Sequence, residues 1–235
     1  MFGNTMLASV FRVLFGGFPV GADAFLKVLL VVNMVVACIA FIAYFHQNFY
    51  AVCGLVTKIK KYDPAAVQHK FAYLICAHDE QSVIGNLIDS IKAQKYPREL
   101  MRIFVCADNC TDETARIARE RGAVVFERES PQKGKSYALD YSLKRIVQEY
   151  GAEKFEAVFI FDADNLLDAD YTAEMNKLFD KGYAAATSYR ASKNVGTNWV
   201  AAGSSYMFYR ESALVHHSRS ALGLGTYVSG TGFYV

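Results

Sequence analysis

The sequence predicts an α/β protein with a mostly parallel sheet, preceded by one helix that crosses a membrane. Three observations support this prediction. Short apolar runs alternate with longer stretches of helical periodicity after residue 70, a long uncharged stretch lies before residue 58, and polar residues collect directly after the apolar runs. The alternation is typical of βαβ units, in which helices join parallel strands. The uncharged stretch has the length of a transmembrane helix.

The overall composition excludes several classes of protein. The chain has 235 residues, which is enough for one large domain or two small ones. Its net charge of +2 is too balanced to indicate a nucleic-acid partner. The five cysteines are scattered and form no CxxC pair, which indicates a reducing compartment, no disulfide framework and no zinc site.

The first predicted element is the membrane helix. Residues 28–57 contain no Lys, Arg, Asp or Glu, and residues 28–45 are almost entirely apolar. With their flanks they reach the ~20 residues that cross a bilayer. A buried core helix and a signal peptide are the alternatives, but the basic start of a signal peptide is lacking because Arg12 is the only basic residue among residues 1–23. We expect an uncleaved anchor and its flank at residues 24–57, after an interfacial segment or weak second span at residues 1–23.

The flanking charges predict the orientation of the anchor. The lysines that follow it are Lys58, Lys60, Lys61 and Lys70, whereas Arg12 and Lys27 precede it. Because cytoplasmic flanks carry an excess of basic residues, the prediction places residues 58 onward on the cytoplasmic side of the cell membrane.

The strands and helices of the cytoplasmic part follow in alternation. Apolar runs of strand length occupy residues 71–77, 103–107, 123–126, 157–161 and 183–188. Stretches with helical periodicity occupy residues 83–94, 111–121, 134–150 and 171–181. Three glycines lie just past these helices, where a left-handed cap is favoured: Gly122, Gly151 and Gly182. We therefore expect one α/β domain over residues 70–235.

Acidic and polar residues follow three of the predicted strands. His78 to Glu80 follow the first, Asp108 follows the second, and Asp162 and Asp164 follow the fourth. In open parallel sheets, ligands bind outside the carboxyl ends of the strands. The sequence has neither GxGxxG after the first strand nor a P-loop, which disfavours a dinucleotide site and a nucleotide triphosphatase. A rim of carboxylates would repel a phosphate ligand unless Mg²⁺ or Mn²⁺ lay between them.

The spacing Asp-x-Asp suits such a divalent cation. In an extended segment, side chains two residues apart point to the same side, so Asp162 and Asp164 present two carboxylates together. The alternative is an acidic turn in which Asp164 or Asn165 caps the next helix. The other acidic strand ends favour the metal site.

Five segments resemble family-2 glycosyltransferases with the GT-A fold. In chain order they are AHDEQSVIGNLIDSIKAQKYP, FVCADNCTDETARIARERGA, KGKSYALDYSL, FDADNL and SGTGF. The likeness covers about residues 70–235 and is strongest to the cellulose-synthase-like branch, which includes enzymes attributed to bacterial exopolysaccharide synthesis. SYRASKNVGTNWV also resembles a stretch of that branch.

The resemblance implies roles for individual residues. It implies a nucleotide-sugar-binding set made of Ala77, His78, Glu80, Asp108, Lys133, Lys135 and Asp162. It implies a metal pair of Asp162 and Asp164, with Asp164 the more direct ligand. It implies an acceptor-side loop of Gly230, Thr231 and Gly232.

The residues themselves leave plainer interpretations open. Asp108 and Asp112 could serve only to stabilise the N-terminus of the following helix. Lys133 and Lys135 could belong to a solvated loop. Trp199, the single tryptophan, is more typical of packing or of a membrane interface than of sugar stacking.

The activity that the resemblance implies is inverting transfer from a nucleotide-diphosphate sugar to a hydroxyl of a glycan or lipid-linked acceptor. Such a reaction needs a general base behind the anomeric carbon. In the family this base is a carboxylate shortly after the GTG-like loop, but no Asp or Glu follows Glu211 here. We therefore expect the base beyond Val235, in a longer protein, and leave the catalytic residue unassigned.

Two other functions are alternatives to this one. A non-catalytic nucleotide-sugar-binding or assembly protein would also lack the base. A phosphatase of the haloacid dehalogenase type also uses Asp-x-Asp after a strand, but its nucleophilic aspartate ends the opening strand, whereas Asp162 ends a late one.

Overall fold

The computed structural model describes residues 23–228 and 230–235, and side chains from residue 28 onward. The segment expected at residues 1–23 therefore lies outside the described residues, apart from Asp23. The chain divides into two compact units, Met1–Cys53 and Gly54–Val235.

The long apolar helix α1 occupies Asp23–Val56. Its part Val28–Val56 is long and apolar enough to cross a membrane, and its apolar side chains, such as Phe41 and Ile42, are exposed. Residues 54–56, at the end of α1, belong to the second unit.

Six strands of the second unit form one sheet in the order β3-β2-β1-β4-β6-β5. Their bounds are β1 Phe71–Ala77, β2 Met101–Asp108, β3 Val124–Arg128, β4 Ala157–Asp162, β5 Ala186–Thr187 and β6 Phe233–Tyr234. Strands β1 to β4 are parallel, and β6 runs antiparallel to both β4 and β5. Because β2 and β3 lie on one side of β1 and β4 lies on the other, a crevice opens between β1 and β4 at their carboxyl ends.

Helices connect these strands. Their bounds are α2 Ile84–Lys92, α3 Thr114–Glu120, α4 Lys135–Tyr150, α5 Tyr171–Asp180, α6 Trp199–Tyr209 and α7 His217–Ala221, with a 3-10 turn at Arg98–Leu100 and a π-helical segment at Arg210–His216. The first four agree with the predicted helices to within a few residues at each end. The predicted glycine caps are confirmed, since Gly122, Gly151 and Gly182 have φ values of 83°, 85° and 85°.

Two differences from the predicted elements stand out. The strand predicted at residues 183–188 is only Ala186–Thr187, because its pairing is limited to the two residues of β6. The helical stretch from α6 through α7 was not predicted. Its first helix is apolar without a repeating polar face, so it lacks the periodicity that identifies an amphipathic helix.

The core lies on both faces of the sheet. Phe71, Tyr73 and Ile75 of β1 pack on one face with the buried side of α2, and Ala72 and Leu74 pack on the other face near α4. A strand that is covered on both faces needs apolar residues throughout, which explains the unbroken apolar run of β1.

Phe159 of β4 lies at the centre of an aromatic cluster in this core. Its ring centroid is 5.1 Å from those of Phe71 and Tyr73 and 5.5 Å from that of Tyr234. The residue has no exposed surface. It thus connects the parallel part of the sheet to the antiparallel strand β6.

We expect Phe159→Ala to lower the free energy of unfolding by about 3–5 kcal/mol, because the substitution leaves a cavity in a close-packed core. Chemical denaturation of the whole chain in detergent micelles measures this change. Val147→Ala is the control, since Val147 is half exposed and its truncation should change stability by less than about 0.5 kcal/mol. Equal effects of the two substitutions would contradict the assigned core.

Candidate functional site

A cavity of about 460 Å³ lies at the carboxyl ends of β1, β2 and β4. Eight of the residues predicted to bind donor or metal line this cavity: Ala77, His78, Glu80, Asp108, Lys133, Lys135, Asp162 and Asp164. The strand register explains their convergence, because Cys76 pairs with Cys106 on one side and with Asp162 on the other. The three strands therefore end at nearly the same level, and the loops after them meet.

The loops after β1 and β2 are tied to each other by hydrogen bonds. The ring Nδ1 of His78 bonds the backbone carbonyl of Asp108 at 2.7 Å, and the Asp79 carboxylate accepts the backbone N–H of Thr111 at 2.6 Å. Asp79 adopts φ of 53°, which few residues other than glycine favour. The N–H of Thr111 lowers the pKa of the Asp79 carboxyl, despite a smaller opposing effect of desolvation. Asp79 therefore acts on the neighbouring loop and does not line the cavity.

Asp108 is held by a buried ion pair. Its Oδ1 accepts a hydrogen bond from Nη1 of Arg128 at 2.5 Å and another from Nδ2 of Asn109 at 3.1 Å. The Arg128 and Asp108 side chains are only 8% and 11% exposed. Arg128 ends β3 directly beside Asp108 in the strand register. Asp108 is thus a hydrogen-bond acceptor held in one orientation at the cavity wall. Stabilising the N-terminus of the following helix would not require this buried ion pair.

Asp112 bonds the start of the following helix and also the loop after β1, where its Oδ2 accepts the backbone N–H of Gln81 at 3.0 Å. Its Oδ1 accepts the backbone N–H of Thr114 at 2.9 Å, at the first residue of α3. Burial, the largest single effect, raises the pKa of Asp112, but the hydrogen bonds from Thr114 and from the backbone N–H of Gln81 together bring it below its ordinary value. Asp112 does not line the cavity.

The two aspartates after β4 have different surroundings. The Asp162 carboxylate pairs with the ammonium of Lys135, which also donates to the backbone carbonyl of Gly230. Asp164 is exposed and accepts a hydrogen bond from Nδ2 of Asn165 at 3.1 Å. Partial burial, followed by the charges of Asp164 and other nearby carboxylates, raises the pKa of Glu80. Carboxylates therefore crowd this side of the cavity, an arrangement that a divalent cation would stabilise.

A second acidic group lies outside the cavity. Within the described part of the chain, Asp79, Cys110 and Asp112 place one potential metal-ligand atom each within 4.8 Å of the others. Asp79 already accepts the backbone N–H of Thr111 from the neighbouring loop, Asp112 accepts that of Thr114, and burial raises the pKa of the Cys110 thiol. The predicted pair of Asp162 and Asp164 differs from this group because it offers two carboxylates and no thiol. Two carboxylates suit Mg²⁺, which takes its other ligands from phosphates and water.

The acceptor-side loop predicted at Gly230, Thr231 and Gly232 adjoins the end of β4. The Thr231 hydroxyl accepts the backbone N–H of Asp162 at 2.9 Å and donates to Oδ1 of Asn165. The N–H of Gly232 donates to the carbonyl of Ile160 at 2.9 Å. Both glycines have φ of 69°, so a side chain at either position would be strained. The loop therefore rests against the segment that holds the two aspartates.

Three residues that sequence reasoning missed are Arg128, Asn109 and Cys76. Arg128 ends β3 as Asp162 ends β4, so the rule about strand ends could have marked it, although not its pairing with Asp108. Asn109 adopts φ of 52° and accepts the backbone N–H of Ser130 at 2.9 Å. Cys76 lines the cavity, and burial raises the pKa of its thiol to about 12.

This chain resembles a protein family, a solved structure and a curated sequence. The family model described as "Glycosyltransferase like family 2" matches residues 69–234, more than half of the chain. A mannosyltransferase from Pyrobaculum calidifontis, solved in complex with GDP-Man and Mn²⁺, has a TM-score of 0.52 and 22% identity over 68% of this chain and 48% of its own. That identity supports a shared fold alone.

A curated relative matches a shorter stretch. The 4,4'-diaponeurosporenoate glycosyltransferase of Staphylococcus aureus (strain USA300) is 38% identical over 69 residues, which are 29% of this chain and 18% of the relative. The match thus spans less than a fifth of the length of that protein.

We expect Arg128→Met to lower the free energy of unfolding by about 3 kcal/mol or more, because it leaves the buried Asp108 carboxylate without its cation. The matched control is Arg119→Met, which removes the cation of the Arg119–Glu127 pair. Those side chains are 49% and 59% exposed, so the loss should stay below about 1 kcal/mol. Chemical denaturation curves of the two variants measure these changes in the free energy of unfolding. The double variant Arg128→Met with Asp108→Asn should recover part of the stability lost in Arg128→Met, because it no longer buries an unpaired carboxylate.

Proposed function

Since the chain belongs to glycosyltransferase family 2, we propose that it takes a sugar from a nucleotide-diphosphate sugar and transfers it, with inversion, to an acceptor hydroxyl. The observation that supports this proposal is the cavity at the crevice between β1 and β4. There the strand ends bring together an oriented carboxylate, two lysines and an acidic pair. Each of these groups suits a different part of such a donor.

The nucleotide would bind on the β1 and β2 side. Asp108 is oriented by Arg128 and uses Oδ1 for its hydrogen bonds with described residues, so Oδ2 is the acceptor that a base N–H would meet. Ala77, His78 and Glu80 form the adjoining wall. A carboxylate in one fixed orientation selects a ligand that offers a donor at that point.

The diphosphate would bind beside the two lysines and the acidic pair, where Lys135 already contacts Asp162. Lys133 and Lys135 both line the cavity, and ammonium groups are common phosphate partners. Asp162 and Asp164 would hold Mn²⁺ or Mg²⁺, in keeping with the carboxylates that crowd Glu80. When bound, that cation supplies positive charge to the diphosphate as the glycosidic bond breaks. The Pyrobaculum mannosyltransferase was solved with GDP-Man and Mn²⁺, which agrees with this class of donor.

The acceptor would approach past Gly230, Thr231 and Gly232. This loop is bonded to the backbone of the Asp162 segment, so an acceptor hydroxyl placed there lies beside the sugar end of the donor. The acceptor is a glycan or a lipid-linked molecule, and the pathway is exopolysaccharide or cell-surface glycan synthesis. The helix α1 would anchor the enzyme in the cell membrane with the cavity on the cytoplasmic side, as the basic residues after α1 predict.

Isothermal calorimetry of the whole chain in detergent micelles tests the donor site. We expect a panel of nucleotide-diphosphate sugars to include one that binds with Mn²⁺ present and binds at least about tenfold more weakly without it. Asp164→Asn should abolish that metal dependence, because an amide is a poorer ligand than a carboxylate for a hard cation.

Asp170→Asn is the matched control. Asp170 lies in the same segment but pairs with Lys95 at the surface and does not line the cavity. It should leave the Mn²⁺ effect unchanged. Donor binding that needs no metal and survives Asp164→Asn would refute the metal assignment, and absence of binding by every donor would refute the proposed function.

A further inference from the structure

Lys135 lies at a position where a helix disfavours a positive charge. It is the first residue of α4, and the first turn of that helix has no acidic residue. Because the N-terminus of a helix carries a partial positive charge, an ammonium there is unfavourable unless another group stabilises it. The position of Lys135 is therefore explained by the contacts of its side chain and not by the helix.

Two oxygen atoms from different segments hold the ammonium of Lys135. Its Nζ contacts Oδ1 of Asp162, at the end of β4, and donates to the carbonyl oxygen of Gly230. The side chains of Lys135 and Asp162 are 33% and 44% exposed. An ion pair that is exposed to this degree contributes little to stability, so the two charges can separate at little cost.

The ammonium of Lys135 and the proposed divalent cation would use the same carboxylate. The metal assignment takes Asp162 and Asp164 as ligands of Mn²⁺ or Mg²⁺, so the present inference rests on the proposed function. A cation bound to Asp162 would lie close to the ammonium that contacts Oδ1, and like charges at such a distance repel each other. Lys135 therefore weakens the binding of a cation for as long as its ammonium stays on Asp162.

We propose that Lys135 exchanges Asp162 for the diphosphate of the donor. The ammonium moves from the carboxylate to a phosphate oxygen, and Asp162 is then available to the cation. Lys135 and Gly134 both line the cavity at the N-terminus of α4, where the helix also favours a phosphate. The cation alone then binds weakly, whereas the cation and a diphosphate together bind tightly. Lys135 is thus a positioning residue that makes metal binding depend on the donor.

Binding of Mn²⁺ alone tests this exchange, because the expected change is a gain, which a loss of structure would not produce. The whole chain in non-ionic detergent micelles is titrated with Mn²⁺, and electron paramagnetic resonance measures the free ion. We expect Lys135→Met to bind Mn²⁺ at least about threefold more tightly than the unsubstituted chain, because the competing ammonium is removed. Lys135→Arg keeps the positive charge and should keep the weak binding.

A second measurement adds a diphosphate. UDP, GDP, ADP and dTDP are titrated in parallel by calorimetry with Mn²⁺ present. Lys135→Met should weaken binding of the nucleotide that the unsubstituted chain prefers by about tenfold, because a charge-assisted hydrogen bond to the diphosphate is lost. Lys144→Met is the matched control, since Lys144 belongs to the same helix and pairs with Asp140 at the surface. It should change neither the Mn²⁺ affinity nor the nucleotide affinity.

Other outcomes would overturn the exchange. Mn²⁺ binding that is unchanged, weaker or absent in Lys135→Met would leave Lys135 with a structural role alone. An equal gain in Lys133→Met would show a general effect of charge, since Lys133 lines the same cavity but has no ion pair with Asp162 within the described residues.

Two further outcomes bear on the proposed function itself. A gain in Lys135→Met that persists when Asp164→Asn is added would place the ion elsewhere and refute the metal assignment. Binding of none of the four nucleotides would refute the proposed donor site, whereas the titration with Mn²⁺ alone would still decide whether Lys135 competes for Asp162.

Discussion

The central place of β1 in the sheet determines the geometry of the rest of the second unit. β1 pairs with β2 on one side and β4 on the other, with Cys76 level with both Cys106 and Asp162. A shift of one residue in either pairing would turn a core side chain toward the wrong face. The packing of Phe71, Tyr73 and Ile75 against α2 therefore fixes where each strand ends. Because all the cavity loops begin at these ends, the shape of the site depends on the hydrophobic core below it.

The cavity is held together mainly by contacts between side chains and backbone of neighbouring loops. His78 bonds the backbone after β2, Asp79 bonds the backbone before α3, and Thr231 bonds the backbone of Asp162. The left-handed conformations of Asp79 and Asn109 persist because these bonds stabilise them. Among the cavity residues that the structure describes, Asp108 alone is held by a buried charge, that of Arg128. Glu80 and Asp164, by contrast, keep their charges close to each other, which is a state that a cation stabilises.

The parts of this structure that the sequence predicts are those with local signals. The apolar run of β1 matches its observed bounds, Phe71–Ala77, and the glycines after three helices have the expected conformation. The convergence of the strand ends followed from the general rule for parallel sheets. The partnership of Arg128 with Asp108 could not be predicted, because it depends on β3 lying beside β2 in that register. For α6 the sequence carries one local signal, Asn198, which caps the helix by accepting the N–H of Ala201 at 2.8 Å.

The thiol of Cys76 lines the cavity, yet it should react only slowly with alkylating agents and oxidants. Thiolate, rather than thiol, reacts with alkylating agents and oxidants. Burial raises the pKa of the Cys76 thiol to about 12, so the thiol form prevails at neutral pH. The nearby Cys106 is shifted in the same direction by burial. A sulfur atom in the wall of the site therefore contributes its bulk and polarizability while remaining almost inert to redox chemistry.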